Sequence, residues 1–266
     1  MIKINRIDKT FQILKDDGEG ALIVYIAAGD PDFETCIAVG EKIAECGADI
    51  LELGIPFSDP IADGPTIQAA TQRALEAGIT PKKAMKIASA LNRKIPIAFM
   101  TYYNILLQYG LELFVQDCVR HGVDGIIIPD LPLEESAPLL DKCLKHDIDQ
   151  IFFAAPTTPE QRLKKILPLT RGFLYVIALL GTTGARNTIS NLTRMTLSRI
   201  KRISKDHIPL AVGFGLSKPQ HIKEVISYGA DGAIIGSAIV KKIAQIDKIS
   251  ISEIGKFVTQ LKNGTK

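Results

Sequence analysis

The chain has 266 residues, 46% hydrophobic and 23% charged, and a net charge of +3. That is enough apolar material for one sizeable α/β core, and no run of Lys or Arg exceeds two residues, so the basic stripe of a nucleic-acid binder is missing. No apolar run nears the roughly 20 residues that span a bilayer, and Cys36, Cys46, Cys118 and Cys143 are too scattered for a metal site, reading instead as reduced thiols.

In chain order, the first segment, MIKINRIDKTFQILKDD, is amphipathic without a continuous apolar core. It predicts an extra N-terminal helix rather than a signal peptide, and hence a cytoplasmic protein. Eight short apolar runs follow, at 22–29, 49–56, 96–103, 125–132, 149–156, 173–181, 208–215 and 232–239. Helical spacing separates them. Over 34–46, Ile37, Gly40, Ile43 and Ala44 share a face; over 111–121, Leu111, Phe114, Val115, Cys118 and Val119 do. Strands alternating with helices predict a parallel sheet. Three segments, ECGADILELG (45–54), RHGVDGIIIPD (120–130) and SYGADGAIIG (227–236), repeat one plan: a helix end, a glycine, an aspartate, an apolar strand. Gly47, Gly122 and Gly229 fall where a helix C-cap wants left-handed backbone. Eight strands in a repeated unit predict a single α/β domain over 1–266, a (β/α)8 TIM barrel with the extra N-terminal helix. An open doubly wound sheet is the alternative, but AAGDPDF after the first run is no glycine-rich fingerprint.

The second run, DILELGIP, carries Glu52 inside an apolar strand. If Leu51 and Leu53 pack on the helices, Ile50, Glu52 and Gly54 face the barrel axis, with Glu52 near the C-terminal mouth. A buried carboxylate needs a partner or a raised pKa. The eight runs contain no Lys or Arg, so no strand supplies a cation. Asp63 follows in the loop SDPIADGP; alone it is an ordinary turn aspartate. Paired with Glu52 it suggests divided labour, a desolvated acid/base beside a wetter, ionised carboxylate.

Two glycine-bearing turns close the chain's later units, VGFGLSKPQHI (212–222) and IIGSAIVKK (234–242). They place Gly215, Gly236 and Ser237 where backbone and a helix N-terminus meet an anion; tight strand–helix turns would look the same. LLGTTGARNTISN (179–191) has the length and composition of a lid. His121, His146, His207 and His221 lie in helices or connectors away from the mouth, so no metal is expected. Tyr102, Asn104 and Asp130 fall near the mouth as candidate supports or as ordinary loop residues.

LELGIPFSDPIADGPTIQ closely resembles the signature of the tryptophan synthase alpha chain family. AAGDPD, PDLPLEES, GTTGAR, GFGLS and IIGSAIV extend the resemblance over essentially the whole chain. It implies a (β/α)8 barrel of tryptophan biosynthesis, a lyase that cleaves indole-3-glycerol phosphate into indole and glyceraldehyde 3-phosphate by a retro-aldol reaction. It implies no metal and no cofactor in this chain; pyridoxal phosphate belongs to a separate beta chain, the partner in an α2β2 heterotetramer. Glu52 becomes the acid/base and Asp63 its partner carboxylate. Gly184, Gly215, Gly236 and Ser237 become phosphate contacts, Thr183 a lid residue at the substrate and Tyr175 the pocket tyrosine. The lid departs from the family: Ala178, Leu179, Leu180, Gly181, Thr182, Thr183, Gly184 lacks the usual arginine, and Tyr25 stands where phenylalanine is common. A non-catalytic, phosphate-ligand-binding regulatory subunit is the alternative reading. An indole-ring-closing synthase is a weaker one, since it needs a strand lysine.

Overall fold

The apolar runs become strands wherever β-branched and aromatic residues cluster, and the amphipathic stretches between them become helices. The computed structural model describes residues 5–178 and 189–266. In order these are α1 (Arg6–Asp16), β1 (Ala21–Ala27), α2 (Phe33–Glu45), β2 (Ile50–Gly54), α3 (Pro65–Glu76), α4 (Pro81–Leu91), β3 (Ile97–Met100), α5 (Tyr103–Tyr109), α6 (Leu111–Arg120), β4 (Gly125–Ile127) and α7 (Ala137–Lys145). They continue with β5 (Asp149–Ile151), β6 (Phe153–Ala154), α8 (Glu160–Ile166), β7 (Leu174–Ile177), α9 (Asn191–Ser204), β8 (Leu210–Gly213), α10 (Pro219–Ser227), β9 (Gly232–Ile235), α11 (Ser237–Ile243) and α12 (Ile251–Lys262). Helix starts follow local chemistry. Asp32 caps α2 by accepting from the Thr35 amide at 2.9 Å, and proline opens α3, α4 and α10, where its missing N–H costs nothing.

All the strands lie in one parallel sheet ordered β5-β4-β3-β2-β1-β9-β8-β7-β6. The fifth predicted run is two strands rather than one, because the chain changes partners at Phe152: β5 pairs with β4 and β6 with β7. Those two pieces are consecutive in sequence, so they join the ends of the order and close the sheet. The TIM barrel expected from the eight runs is present, and so is the N-terminal helix. No helix among the described residues is long and apolar enough to cross a membrane.

Alternation sorts the side chains into two cores. Leu22, Val24, Leu51, Leu53, Ile97 and Phe99 pack outward against the helices. Ile23, Tyr25, Ile50, Ala98, Met100, Ile127 and Tyr175 fill the barrel interior. Ile7, Phe11 and Leu14 of α1 join that inner core, with Phe11 and Phe173 rings 5.8 Å apart, so α1 plugs the N-terminal end. The α2 face sits one residue off the predicted one. Cys36, Val39, Gly40 and Ile43 are buried, whereas Ile37 and Ala44 are half-buried. Gly40 permits this register, since a methyl there would lie 2.6 Å from Leu91 Cδ1 of α4. In α6, Val119 is exposed although Phe114, Val115 and Cys118 are buried.

The repeated Gly-Ala/Val-Asp plan has a structural reason. Gly47, Gly122 and Gly229 all take positive φ, ending a helix as the spacing predicts. The aspartates two residues later accept from an amide at the start of the neighbouring strand, its first or second: Asp49 from Leu22 at 2.7 Å, Asp124 from Ile97 at 2.8 Å, Asp231 from Leu210 at 2.8 Å. Lys262, Arg6 and Lys201 face these three carboxylates.

Asp149, at the foot of β5, breaks the pattern. It is fully buried, neither carboxyl oxygen has a hydrogen-bond partner, and Arg171 Nε stands 3.4 Å off. Burial first, then the charge of Asp8, pushes this carboxyl up to about 8. A carboxyl raised in the folded state contributes stability that is complete below its unfolded value, about pH 4, and is lost as pH rises through the folded value. Asp149→Asn is therefore expected to flatten the fall in stability between about pH 5 and pH 9, and to exceed the parent at the alkaline end by more than about 1 kcal/mol. Chemical denaturation across that range checks this; identical pH slopes for the two proteins would contradict it.

Candidate active site

The inward phase of β2 delivers Glu52 to the barrel axis, beside Tyr25 of β1 and Ala98 of β3 in the same register. Glu52 is 1% exposed, and its Oε2 has no hydrogen-bond partner. No ion pair reaches it among the described residues, as the absence of strand lysines and arginines predicts. Burial, then the nearby Asp63 charge, pushes its carboxyl up to about 8. At neutral pH Glu52 is therefore mostly protonated.

Asp63 is placed by its loop. Its amide donates to Pro60 O at 3.0 Å, and Gln68 Nε2 of α3 donates to its carbonyl at 2.9 Å. The Tyr102 hydroxyl donates to Asp63 Oδ2 at 3.0 Å while accepting from the Ala62 amide at 3.0 Å. Phe57 stacks on Tyr102 with ring centroids 5.3 Å apart. One side chain thus ties the loop backbone and the carboxylate to the strand 3 end. Arg73 of α3 makes a bidentate pair with buried Asp30 at 2.7 and 2.8 Å, which anchors the helix that follows Asp63. Asp63 is half-buried, and burial raises its pKa too, opposed by the Tyr102 hydrogen bond. The contrast between the two carboxyls is thus one of degree rather than of opposite shifts. Asp130 accepts from the Tyr103 amide at 2.9 Å, a loop contact, and Asn104 is exposed.

Glu52 and Asp63 line one cavity of about 290 Å³. Tyr175, Gly215, Gly236 and Ser237 line it as well. Its far end is formed by the turns after β8 and β9, where α11 begins at Ser237. The first amides of a helix have no partner within it and can meet an anion. Thr183 and Gly184 lie outside the described residues, as do Leu179 and Leu180. Among the described residues no group of three or more His, Cys, Asp or Glu side chains is placed to hold a metal ion.

The structure adds residues that sequence reasoning passed over. Met100, Ile67 and Ile234 supply apolar lining between the carboxyls and the far end. Phe214 lies at the rim, 42% exposed, in edge contact with Tyr175 at 6.1 Å and with φ of +74°. A positive φ at a phenylalanine is unusual, and its place between two glycines in VGFGLS was the available signal. Together the cavity offers an apolar slot, a protonated carboxyl, a second carboxyl that can accept from an N–H, and an amide-rich end.

The comparisons with known proteins agree with this geometry. The family model of the tryptophan synthase alpha chain matches residues 11–266. The chain is 48% identical over 241 residues to the tryptophan synthase alpha chain of Methanocaldococcus jannaschii, covering 90% of this chain and 84% of the relative. It is 45% identical over 264 residues to that of Methanosarcina mazei, covering 99% and 96%. A crystal structure of the Legionella pneumophila tryptophan synthase alpha chain superposes with a TM-score of 0.90 at 33% identity, covering 99% of this chain and 98% of that one. The chain belongs to the tryptophan synthase alpha chain family.

Proposed function

We propose that the chain performs the alpha-chain reaction of its family, cleaving indole-3-glycerol phosphate into indole and glyceraldehyde 3-phosphate, with Glu52 serving both proton transfers. The observation that carries this is the buried Glu52 carboxyl, unpartnered at Oε2 and facing a cavity it shares with Asp63. Indole is a poor carbanion leaving group, so C3 of the ring must be protonated before the C–C bond breaks. Glu52 gives its proton to C3, and the positive charge this creates spreads to the ring nitrogen. Asp63 accepts from that N–H and stabilises the charge. The Glu52 carboxylate then takes the proton from the hydroxyl on the carbon next to the ring. That C–O bond becomes the aldehyde, the C–C bond breaks, and its electrons return to the ring as indole. Glu52 ends protonated, as it began.

The phosphate lies at Gly215, Gly236 and Ser237, and the indole lies against Tyr175. A tryptophan synthase beta chain docks at the mouth in an α2β2 assembly and receives the indole; pyridoxal phosphate is that chain's cofactor. The test is to incubate the purified chain with indole-3-glycerol phosphate and follow both products. Indole and glyceraldehyde 3-phosphate released in equal amounts is the expected result. Binding without release of either would favour a non-catalytic regulatory subunit instead.

A further inference from the structure

We infer that the Tyr25 hydroxyl is a positioning and specificity group that hydrogen-bonds the middle hydroxyl of the substrate's glycerol chain, the one the cleavage does not consume. This rests on the reading above, with the phosphate at Gly236 and Ser237 and the reacting carbon at Glu52. Tyr25 is the register partner of Glu52, on the adjacent strand. It is 7% exposed and lines the same cavity. Its ring starts beside Gly236 and ends beside Gly54, two residues beyond Glu52 on β2. A methyl group built on Gly236 would lie 3.4 Å from Tyr25 Cβ, and one built on Gly54 would lie 2.3 Å from the Tyr25 hydroxyl. Gly54 is therefore bare because the Tyr25 hydroxyl occupies the space where a side chain would start. A chain running from Gly236 to Glu52 passes along this ring, which brings its hydroxyls to the polar tip; the reacting hydroxyl is taken by Glu52 in the proposed chemistry, which leaves the middle one for Tyr25.

Among the described residues the hydroxyl has no hydrogen-bond partner. Tyr102 uses its hydroxyl as donor and acceptor within the loop. Tyr25 makes no such hydrogen bond with the described residues, and burial, then the charges of Asp63 and Glu52, push its pKa up. Those influences keep the phenol protonated, so it presents a donor. The hydroxyl opens into the cavity rather than being sealed in its wall, so a ligand hydroxyl there can accept its proton. Tyr175 sits the same way over Gly213, where a methyl would lie 2.4 Å from its hydroxyl. Both tyrosines line the cavity, and Tyr25 is the one whose Cβ lies beside Gly236.

The test compares Tyr25→Phe with its parent by titration calorimetry on the full chain, both carrying Glu52→Gln to stop turnover. One ligand is indole-3-glycerol phosphate; the other is 3-(indol-3-yl)propyl phosphate, which keeps phosphate and ring and lacks the chain hydroxyls. Loss of one neutral hydrogen bond is expected to weaken the first about 3- to 10-fold and to leave the second within about twofold. Equal weakening of both would mean that Tyr25 acts through ring packing, and no change in either would mean that its hydroxyl touches nothing; both overturn the assignment while the function stands. If the parent binds neither ligand, the substrate reading fails and this assignment fails with it.

Discussion

Replacing Glu52 by Gln is expected to reduce indole release by at least about 10² to 10⁴, the value of one general acid–base transfer, while the protein still folds. Both proposed transfers run through this one carboxyl, so the loss should sit at or beyond the upper end. The amide has nearly the same shape and cannot deliver a proton. Folding should be unharmed for a reason visible in the structure. Glu52 is buried with its Oε2 unpartnered and its pKa pushed up to about 8, so at neutral pH the native residue is already uncharged. The variant should melt no lower than the parent. Indole release measured alongside thermal unfolding separates the effects. A Gln variant that turns over at the parent's rate would remove Glu52 from the chemistry.

Removing the phosphate from the substrate is expected to lower kcat/KM by about 10² to 10⁴, as two charge-assisted hydrogen bonds at about 1.5–3 kcal/mol each would require. The proposed donors are the backbone at Gly215 and Gly236 and the Ser237 turn, all on the cavity wall. Because α11 has only seven residues, local amides rather than a long helix dipole must carry the attraction. Inorganic phosphate should compete with the natural substrate and not with the dephosphorylated one. Equal kcat/KM for the two substrates would displace the phosphate from this end of the cavity.

The frame of this site was legible in the sequence because each part has a strong local signature. The Gly-Ala/Val-Asp repeat announced the helix-to-strand unit, and the structure shows why it recurs: Asp49, Asp124 and Asp231 each hold an amide at the start of the neighbouring strand. Glu52 stood out because a charge in an apolar run is costly unless used. What escaped depended on contacts between distant segments. The exchange of partners at Phe152 is set by closure of the barrel, which no local pattern announces. The α2 face turned toward Cys36 and Val39 because α4 packs against Gly40. Tyr102 was marked only as near the mouth; its bond to Asp63 spans 39 residues. Phe214 was hidden because its importance lies in a backbone conformation rather than in residue type.

The dependence of kcat/KM on pH tests the central claim most directly, that a buried, protonated Glu52 starts the cleavage. This ratio reports the groups of the free enzyme. Burial and Asp63 hold the Glu52 carboxyl up at about 8, so the active, protonated form is lost as pH rises through that value. The account predicts a kcat/KM that falls about tenfold per pH unit above roughly pH 8, with the fall moving to lower pH in Asp63→Asn, where the neighbouring charge is gone. A rate that stays level well beyond pH 9, or a fall unmoved by Asp63→Asn, would contradict it.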